Sequence, residues 1–240
     1  NGKLIKSIKP KAKEKPDQLP IKKGLNSFIW NMRYPNAEKF DGMIIWGSGG
    51  LNGPLAVPGN YSAVLVYDKD SSQVNFEIIK DPRVSSSKQN LNEQFEFLIS
   101  VRDKLTETHN GIKQIRAIRK QINDAVDKIK KLPNTEDIKK NGDAISKELT
   151  EVEETLYQTK SKSPQDVLNF PIRLNDKLAG LAGDMARGDF KPTEQAVELK
   201  NELFGKIDVE LLKLKNVIES KIPLFNKLIK EAEVPAVIIQ

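Results

Sequence analysis

His109 is the only histidine in 240 residues, and cysteine is absent. Proton transfer or metal binding at His109 would therefore lack a second imidazole or a thiolate to complete the site. His109 follows Leu105 by four residues and precedes Ile112 by three, so it reads as part of a helix seam. Carboxylates cluster at Glu151, Glu153 and Glu154, and at Asp68 and Asp70. A glycosidase pair must flank a cleft, with one acid raised in pKa by burial. Glu151 and Glu154 instead lie beside Lys147 on a helical stretch, which favours a solvated ion-pair face. Asp68-Lys69-Asp70 reads as a hairpin turn with too few ligands for calcium. The glycine-rich run Gly47–Gly53 lacks the Lys-Ser/Thr pair and the strand-to-helix setting of a phosphate loop, so it reads as a plain loop. No catalytic residue, cofactor or metal is expected.

Two groups could make an interaction or structural site. Trp30, Tyr34, Phe40 and Trp46 could form a sugar-stacking platform, but aromatics in such a β region more often serve core or interdomain packing. The second group lies in and around Lys160–Asn175, a polar connection too individual in character to be a mere linker. Its Asn169, Arg173 and Asn175 can satisfy loop backbone groups, and Phe170 and Leu168 can anchor it to the helices. Tyr157 stands just before it. The loop is expected to be ordered, packed on the first or last helix, with Phe170 buried.

The elements that position these residues fall into two parts. Residues 1–85 read as β. Leu4–Ile8 and Leu25–Arg33 are strand-like, the latter with Phe28, Trp30 and Met32 on one face by period two. Between them lies a polar segment from Lys9 to Pro20. Asn60–Tyr67 alternates, with Tyr61, Ala63, Leu65 and Tyr67 facing one way, and Gln73–Lys80 returns as its hairpin partner. Four or five strands fall short of the roughly seven of a free-standing immunoglobulin-type sandwich. The β module is therefore expected to be truncated at its N-terminus.

Residues 86–240 read as a helical bundle of about four helices. Ser86-x-x-Gln89 is a candidate capping box. Leu91, Phe95, Leu98, Leu105, Ile112, Ile115, Ile122, Val126 and Ile129 then make one seam. Leu132-Pro133-Asn134 stops it, and Thr135 can cap a second helix carrying Ile138, Ile145, Leu149, Val152 and Leu156. A third, shorter helix carries Ile172, Leu178, Leu181 and Met185. Thr193 can cap a fourth, with Val197, Phe204, Ile207, Leu211, Leu214 and Ile218, which Pro223 kinks or breaks. The fold class is thus α+β as a two-domain chain: a partial Ig-like β-sandwich followed by an elongated antiparallel helical bundle.

Charge divides along the same line. Residues 1–88 carry 14 basic and 8 acidic side chains, whereas residues 89–240 carry 25 of each. The basic excess sits in a proline-broken lysine segment without aromatics, so it reads as a solvated loop and no nucleic-acid partner is expected. No apolar run reaches the ~18 residues of a membrane-spanning helix, and no membrane insertion is expected.

Several segments resemble a known family. Gly24–Pro35, then Gly53-Pro54 with Pro58-Gly59-Asn60-Tyr61, then Lys80-Asp81-Pro82-Arg83 resemble, in order, the C-terminal region of large bacterial proteins with sortilin-like BNR-repeat β-propellers. These are often labelled glycosyl hydrolases. The helical half is similar at Gln94, at Arg102-Asp103-Lys104, and most specifically at Leu156-Tyr157-Gln158-Thr159-Lys160 and Leu168–Asn175. Asn31 and Met32 depart from the family pattern, where Asp and Leu are commoner. The resemblance implies an Ig-like module and a helical tail downstream of a propeller, in an exported, Bacteroidetes-like protein: secreted, periplasmic or at the cell surface. It implies as partner the upstream propeller, a cleaved fragment of the same protein, or another protein. It carries over no catalytic residue, because any glycosidase-like site would belong to the propeller. The expectation is an accessory interaction module, or alternatively the tail of a functional glycoside hydrolase that helps shape its cleft.

Overall fold

The computed structural model of the chain describes residues 2–12, 18–19, 21–129 and 135–232. The expected stop at Leu132-Pro133-Asn134 and most of the prolines of the lysine-rich segment lie outside these. The fold is α+β: an antiparallel hairpin, β1 (Gly59–Tyr67) and β2 (Asp70–Ile78), joined to a set of long helices.

Helix α1 (Lys88–Ile129) is the spine. Its 42 residues span about 63 Å at ~1.5 Å each. Ser87, not Ser86, starts it: the Ser87 hydroxyl accepts the Asn90 N–H at 3.1 Å. Ser86 is turned away and donates to the Asp189 carbonyl. Helix α2 (Glu136–Leu156) runs back along the far half of α1, with Arg119 against Thr150 and Asn123 against Ser146. Helix α3 (Leu174–Met185) runs back along the near half, where the Gln94 amide donates to the carbonyls of Met185 and Gly188 at 2.7 and 2.5 Å. Helix α4 (Glu194–Asn216) then runs parallel to α1, Lys104 meeting Asp208. Thr193 caps it as expected, accepting the Ala196 N–H at 3.1 Å.

Pro223 neither ends nor breaks the last rod. A π turn (Val217–Lys221) joins α4 to α5 (Ile222–Glu231), with the Ile222 N–H reaching back to the Val217 carbonyl. Proline has no N–H to give the carbonyl four residues earlier, and the widened turn absorbs the mismatch. The helices thus make three parallel rods: α1, the broken rod α2–α3, and the continuous rod α4–α5. Leu105, Ile112, Ile115, Ile122, Leu149, Leu178, Ile207 and Leu214 are buried among them. Leu98 and Leu211 are half-buried at the margin, while Phe97 and Val101 take the core positions near the start of α1.

The β part differs from the sequence expectation. Leu4–Ile8 and Leu25–Arg33 form no strand. In the second case short polar side chains compete for the backbone. Asn26 bonds the Lys22 N–H and the Lys22 and Gly24 carbonyls, Asn31 accepts the Arg33 N–H, and Met32 adopts a left-handed φ of 55°. The hairpin itself forms with the expected alternation. Tyr61 pairs with Phe76, Ala63 with Val74 and Leu65 with Ser72, so Tyr61, Ala63, Leu65 and Tyr67 share a face.

Between these parts, residues 33–55 form a strap closed at its neck. Tyr34 N–H donates to Pro54 O at 3.0 Å, Ala37 N–H to Leu51 O at 2.8 Å, and Ala56 N–H to Met32 O at 2.7 Å. Ala37, Phe40, Ile45 and Leu51 of the strap belong to the same hydrophobic core as the rods. One core therefore crosses the division drawn at residue 85.

Leu149 is fully buried where α2 meets its neighbours. Replacing it with alanine is expected to lower stability by ~2–5 kcal/mol through lost burial and a cavity. Chemical denaturation followed by helical circular dichroism measures this.

Candidate functional site

The broken rod leaves a gap between the end of α2 at Leu156 and the start of α3 at Leu174, and the strap fills it. Phe40 meets the Tyr157 ring edge-on at 4.9 Å and the His109 ring edge-on at 5.5 Å. The Arg116 guanidinium lies 4.6 Å from the centre of the Phe40 ring, a cation–π contact at the mouth of the gap. Four kinds of surface thus converge on one aromatic ring: phenol, imidazole, guanidinium and the aliphatic seam.

The strap backbone is held by side chains along α1 and beyond. Arg102 donates to Pro35 O at 3.2 Å, and the Glu38 N–H donates to the Thr106 hydroxyl at 3.2 Å. His109 bonds the Glu38 carbonyl at 2.6 Å, and Arg116 donates to Asp41 O at 3.2 Å. Partners at 102, 106, 109 and 116 lie one or two helical turns apart, which matches an extended chain laid along a helix. Past the gap, the Ile44 N–H donates to the Tyr157 hydroxyl at 3.0 Å. The Asp176 carboxylate then accepts the Trp46 and Gly47 N–H groups at 2.9 and 2.6 Å. These bonds satisfy backbone groups that a buried loop would otherwise leave costly.

The glycine run has a steric purpose. A β-carbon on Gly50 would lie 1.7 Å from the Ala179 carbonyl oxygen, and one on Gly47 2.7 Å from the Gly180 nitrogen. One on Gly53 would lie 2.0 Å from the Tyr34 carbonyl oxygen. The turn at Ser48–Leu51 docks onto the small face of α3, Ala179, Gly180 and Gly183, with backbone almost touching backbone.

Glu153 departs from the solvated carboxylate face expected around it. It is buried, and its two oxygens accept from Arg116 Nε at 2.7 Å and Arg119 Nη2 at 2.6 Å. Arg116 therefore joins α1, α2, the strap carbonyl of Asp41 and the Phe40 ring. This is a structural pairing: both oxygens are occupied, while of the other acids of the run Glu151 is exposed and Glu154 half-buried.

The sequence candidates separate in space. Tyr157 and Asn175 come together, both buried, with Asn175 Nδ2 3.3 Å from His109 Nε2. Trp30 packs instead on the hairpin, 6.0 Å from Tyr61 and 6.5 Å from Phe76, and donates to Arg33 O at 3.0 Å. Tyr34 packs against Phe95 with the rings tilted and their centres 4.8 Å apart, and burial raises its phenol pKa. Phe40 is in the core, and Trp46 is exposed beside Pro164 and Met43 along an open groove. The four aromatics therefore form no common platform.

The 160–175 connection is built as a turn (Pro164–Leu168). Asp166 closes it by accepting the Lys162 and Ser163 N–H groups at 2.6 and 3.0 Å, which lowers its pKa. Gln158 ties it off by donating to Pro171 O at 2.8 Å. Phe170 is only half-buried and Leu168 is 86% exposed, so the expected apolar anchoring falls short. The chain's own Asp166 and Gln158 satisfy the loop, and it does not need the anchor. Asn169 and Arg173 are exposed.

Phe40, Asp176, Arg116 and Glu153 were not singled out as junction residues by sequence reasoning. The spacing by three of Gly47, Gly50 and Gly53, opposite the Ala-Gly pairs of α3, was the available signal for close docking. Comparison with protein families, with curated proteins and with solved structures finds no match. Among the described residues no group of three or more His, Asp or Glu side chains could hold a metal ion. Among the described residues no helix is long and apolar enough to cross a membrane.

Two substitutions probe the junction. Phe40→Ala is expected to cost ~3–5 kcal/mol. Gly50→Ala should displace the strap from α3 while leaving the rods folded, at ~1–3 kcal/mol or more. Denaturant melts and the near-ultraviolet signal of Trp46 report the two effects.

Proposed function

We propose that the chain is a non-catalytic structural and interaction module, whose rods and strap hold out a β unit that is completed by a segment from elsewhere. The observation that carries this reading is the hairpin. Leu65 is 64% exposed, Tyr67 80% and Val74 61%, and all three lie on the face that Trp30 covers only at its base. The opposite face also shows Val64 and Val66 to solvent. Among the described residues the sheet has two strands, so each strand leaves one backbone edge without a sheet partner there. An isolated two-stranded hairpin is marginal in water, and open edges invite strand addition.

The family resemblance supplies the identity of the missing part. In this reading the unit is an Ig-like module behind an exported propeller, secreted, periplasmic or at the cell surface. Its remaining strands come from sequence upstream of residue 1, a cleaved fragment of the same protein, or another protein. The strap then serves as a stiff joint, since its core is shared with the rods. Trp30 and Tyr34 stand at the hairpin side of that joint.

The test compares amide exchange over residues 60–78 in this chain and in a longer protein that includes the preceding sequence. Protection rising at least tenfold in the longer protein is the expected result. Equal exchange in both would sink the preceding sequence as the source of the strands. In this chain alone, Leu65→Lys and Val74→Lys should shift stability by no more than ~0.5 kcal/mol in denaturant melts, as expected for solvent-exposed side chains.

A further inference from the structure

His109 lies where α1, the strap and α3 meet, and its ring is fully buried. Nδ1 stands 2.6 Å from the Glu38 carbonyl oxygen, which can only accept, so Nδ1 carries the proton. Nε2 is then left with a lone pair and accepts from Asn175 Nδ2 at 3.3 Å. The neutral ring satisfies both neighbours. A second proton, on Nε2, would face the hydrogens of the Asn175 amide. Asn175 Oδ1 is itself buried without a hydrogen-bond partner. Turning the amide would offer that oxygen to an imidazolium, but would place the NH2 group where Oδ1 has no partner now.

The surroundings do not compensate a positive charge. The strap brings Glu38, whose carboxylate is held by Lys113 at 2.8 Å, and Lys39. Helix α1 brings Lys113 itself and Arg116, whose guanidinium lies over the Phe40 ring. Tyr157 follows α2, and its hydroxyl accepts from the strap. On α3, Asp176 is engaged by two strap N–H groups. On α4, buried Glu210 is paired with Lys213. Burial holds the His109 pKa below its ordinary value; the bond to the Glu38 carbonyl opposes this, and Lys113 and Lys39 add to it.

We propose that His109 is an acid-sensitive latch: when its ring gains a second proton, the strap backbone about Glu38 loosens from α1 so that the charge reaches water, and the rods stay folded. The stretch about Glu38 is the part that gives way, because side chains of α1 hold its backbone through hydrogen bonds, His109 among them, while Phe40, Ile45 and Leu51 stay in the core shared with the rods. The sign follows from the depressed pKa. The docked state binds the proton less readily than the released state. Docking is therefore at full strength above the ordinary histidine pKa of ~6.5, and weakens as pH falls below it towards the depressed value. His109 is the only histidine, so proton uptake between about pH 5 and 7 maps onto one group.

The test follows amide exchange of residues 36–47, corrected for intrinsic rates, between pH 7.5 and 5, alongside helical circular dichroism. Strap exchange should rise at least tenfold across this range with the helical signal unchanged. His109→Gln keeps one donor for Glu38 and one acceptor for Asn175 but cannot take up a proton, so its strap exchange should be flat with pH. Strap exchange that is flat in the unsubstituted chain overturns the proposal, as does helix loss at the same pH or the same pH dependence in His109→Gln. If His109→Gln does not fold, the imidazole resonances of the unsubstituted chain decide. Their titration midpoint must coincide with strap release, and a separation of more than about one pH unit overturns the latch.

Discussion

The Phe40 ring in the gap between α2 and α3 is the contact on which the junction depends. A bundle whose middle rod is interrupted has a hole at the interruption, and interiors tolerate holes poorly. Here the hole is closed by a residue from a different part of the chain. Tyr157, His109 and Arg116 are then fixed by what they do for the strap as much as by their own helices. Remove the plug, and the bonds to the Glu38, Asp41 and Ile44 backbone lose the geometry that aligns them.

The plug works only because the strap can come close enough. Gly47 and Gly50 let its backbone touch α3, and Asp176 supplies the acceptor for two N–H groups at that approach. Contact between bare backbones forgoes side-chain burial, so hydrogen bonds and exclusion of water carry the stability there. Much of the strap's backbone is answered by side chains on α1 or α3. The β hairpin is tied through the neck of this strap and through Tyr34 on Phe95, and these fix how it stands to the rods.

The helices were legible in the sequence because their seams repeat over long stretches. Ile112, Ile122, Leu149, Leu178 and Leu214 are buried as their spacing implies. The hairpin was legible from its alternation and its polar turn. Residues 25–33 misled because Phe28, Trp30 and Met32 alternate as a strand would, while Asn26 and Asn31 bend the backbone onto their own side chains. Glu153 misled because its neighbours Glu151 and Glu154 suggested an exposed face, and its two arginines come from more than thirty residues away on α1. The strap was hidden for the same reason. Phe40 and Gly50 have ordinary local contexts, and their meaning lies in partners that only the folded chain brings near.

The π turn has a consequence for helical phase. An α-helix turns about 100° per residue, so from buried Val217 a regular helix would return to the seam near residue 224. Leu224 is exposed and Phe225 is buried beside Gly142, Ile122 and Val126. The widened turn takes up one extra residue and rotates everything after it, so that the larger ring reaches the seam. The glycine at 142 leaves room for it. The count of residues between Asn216 and Pro223 is therefore fixed by the partner helix. A chain one residue shorter there would bring Phe225 to the seam on the regular helical phase but leave Pro223 without the widened turn, whereas one residue longer would turn Phe225 towards water.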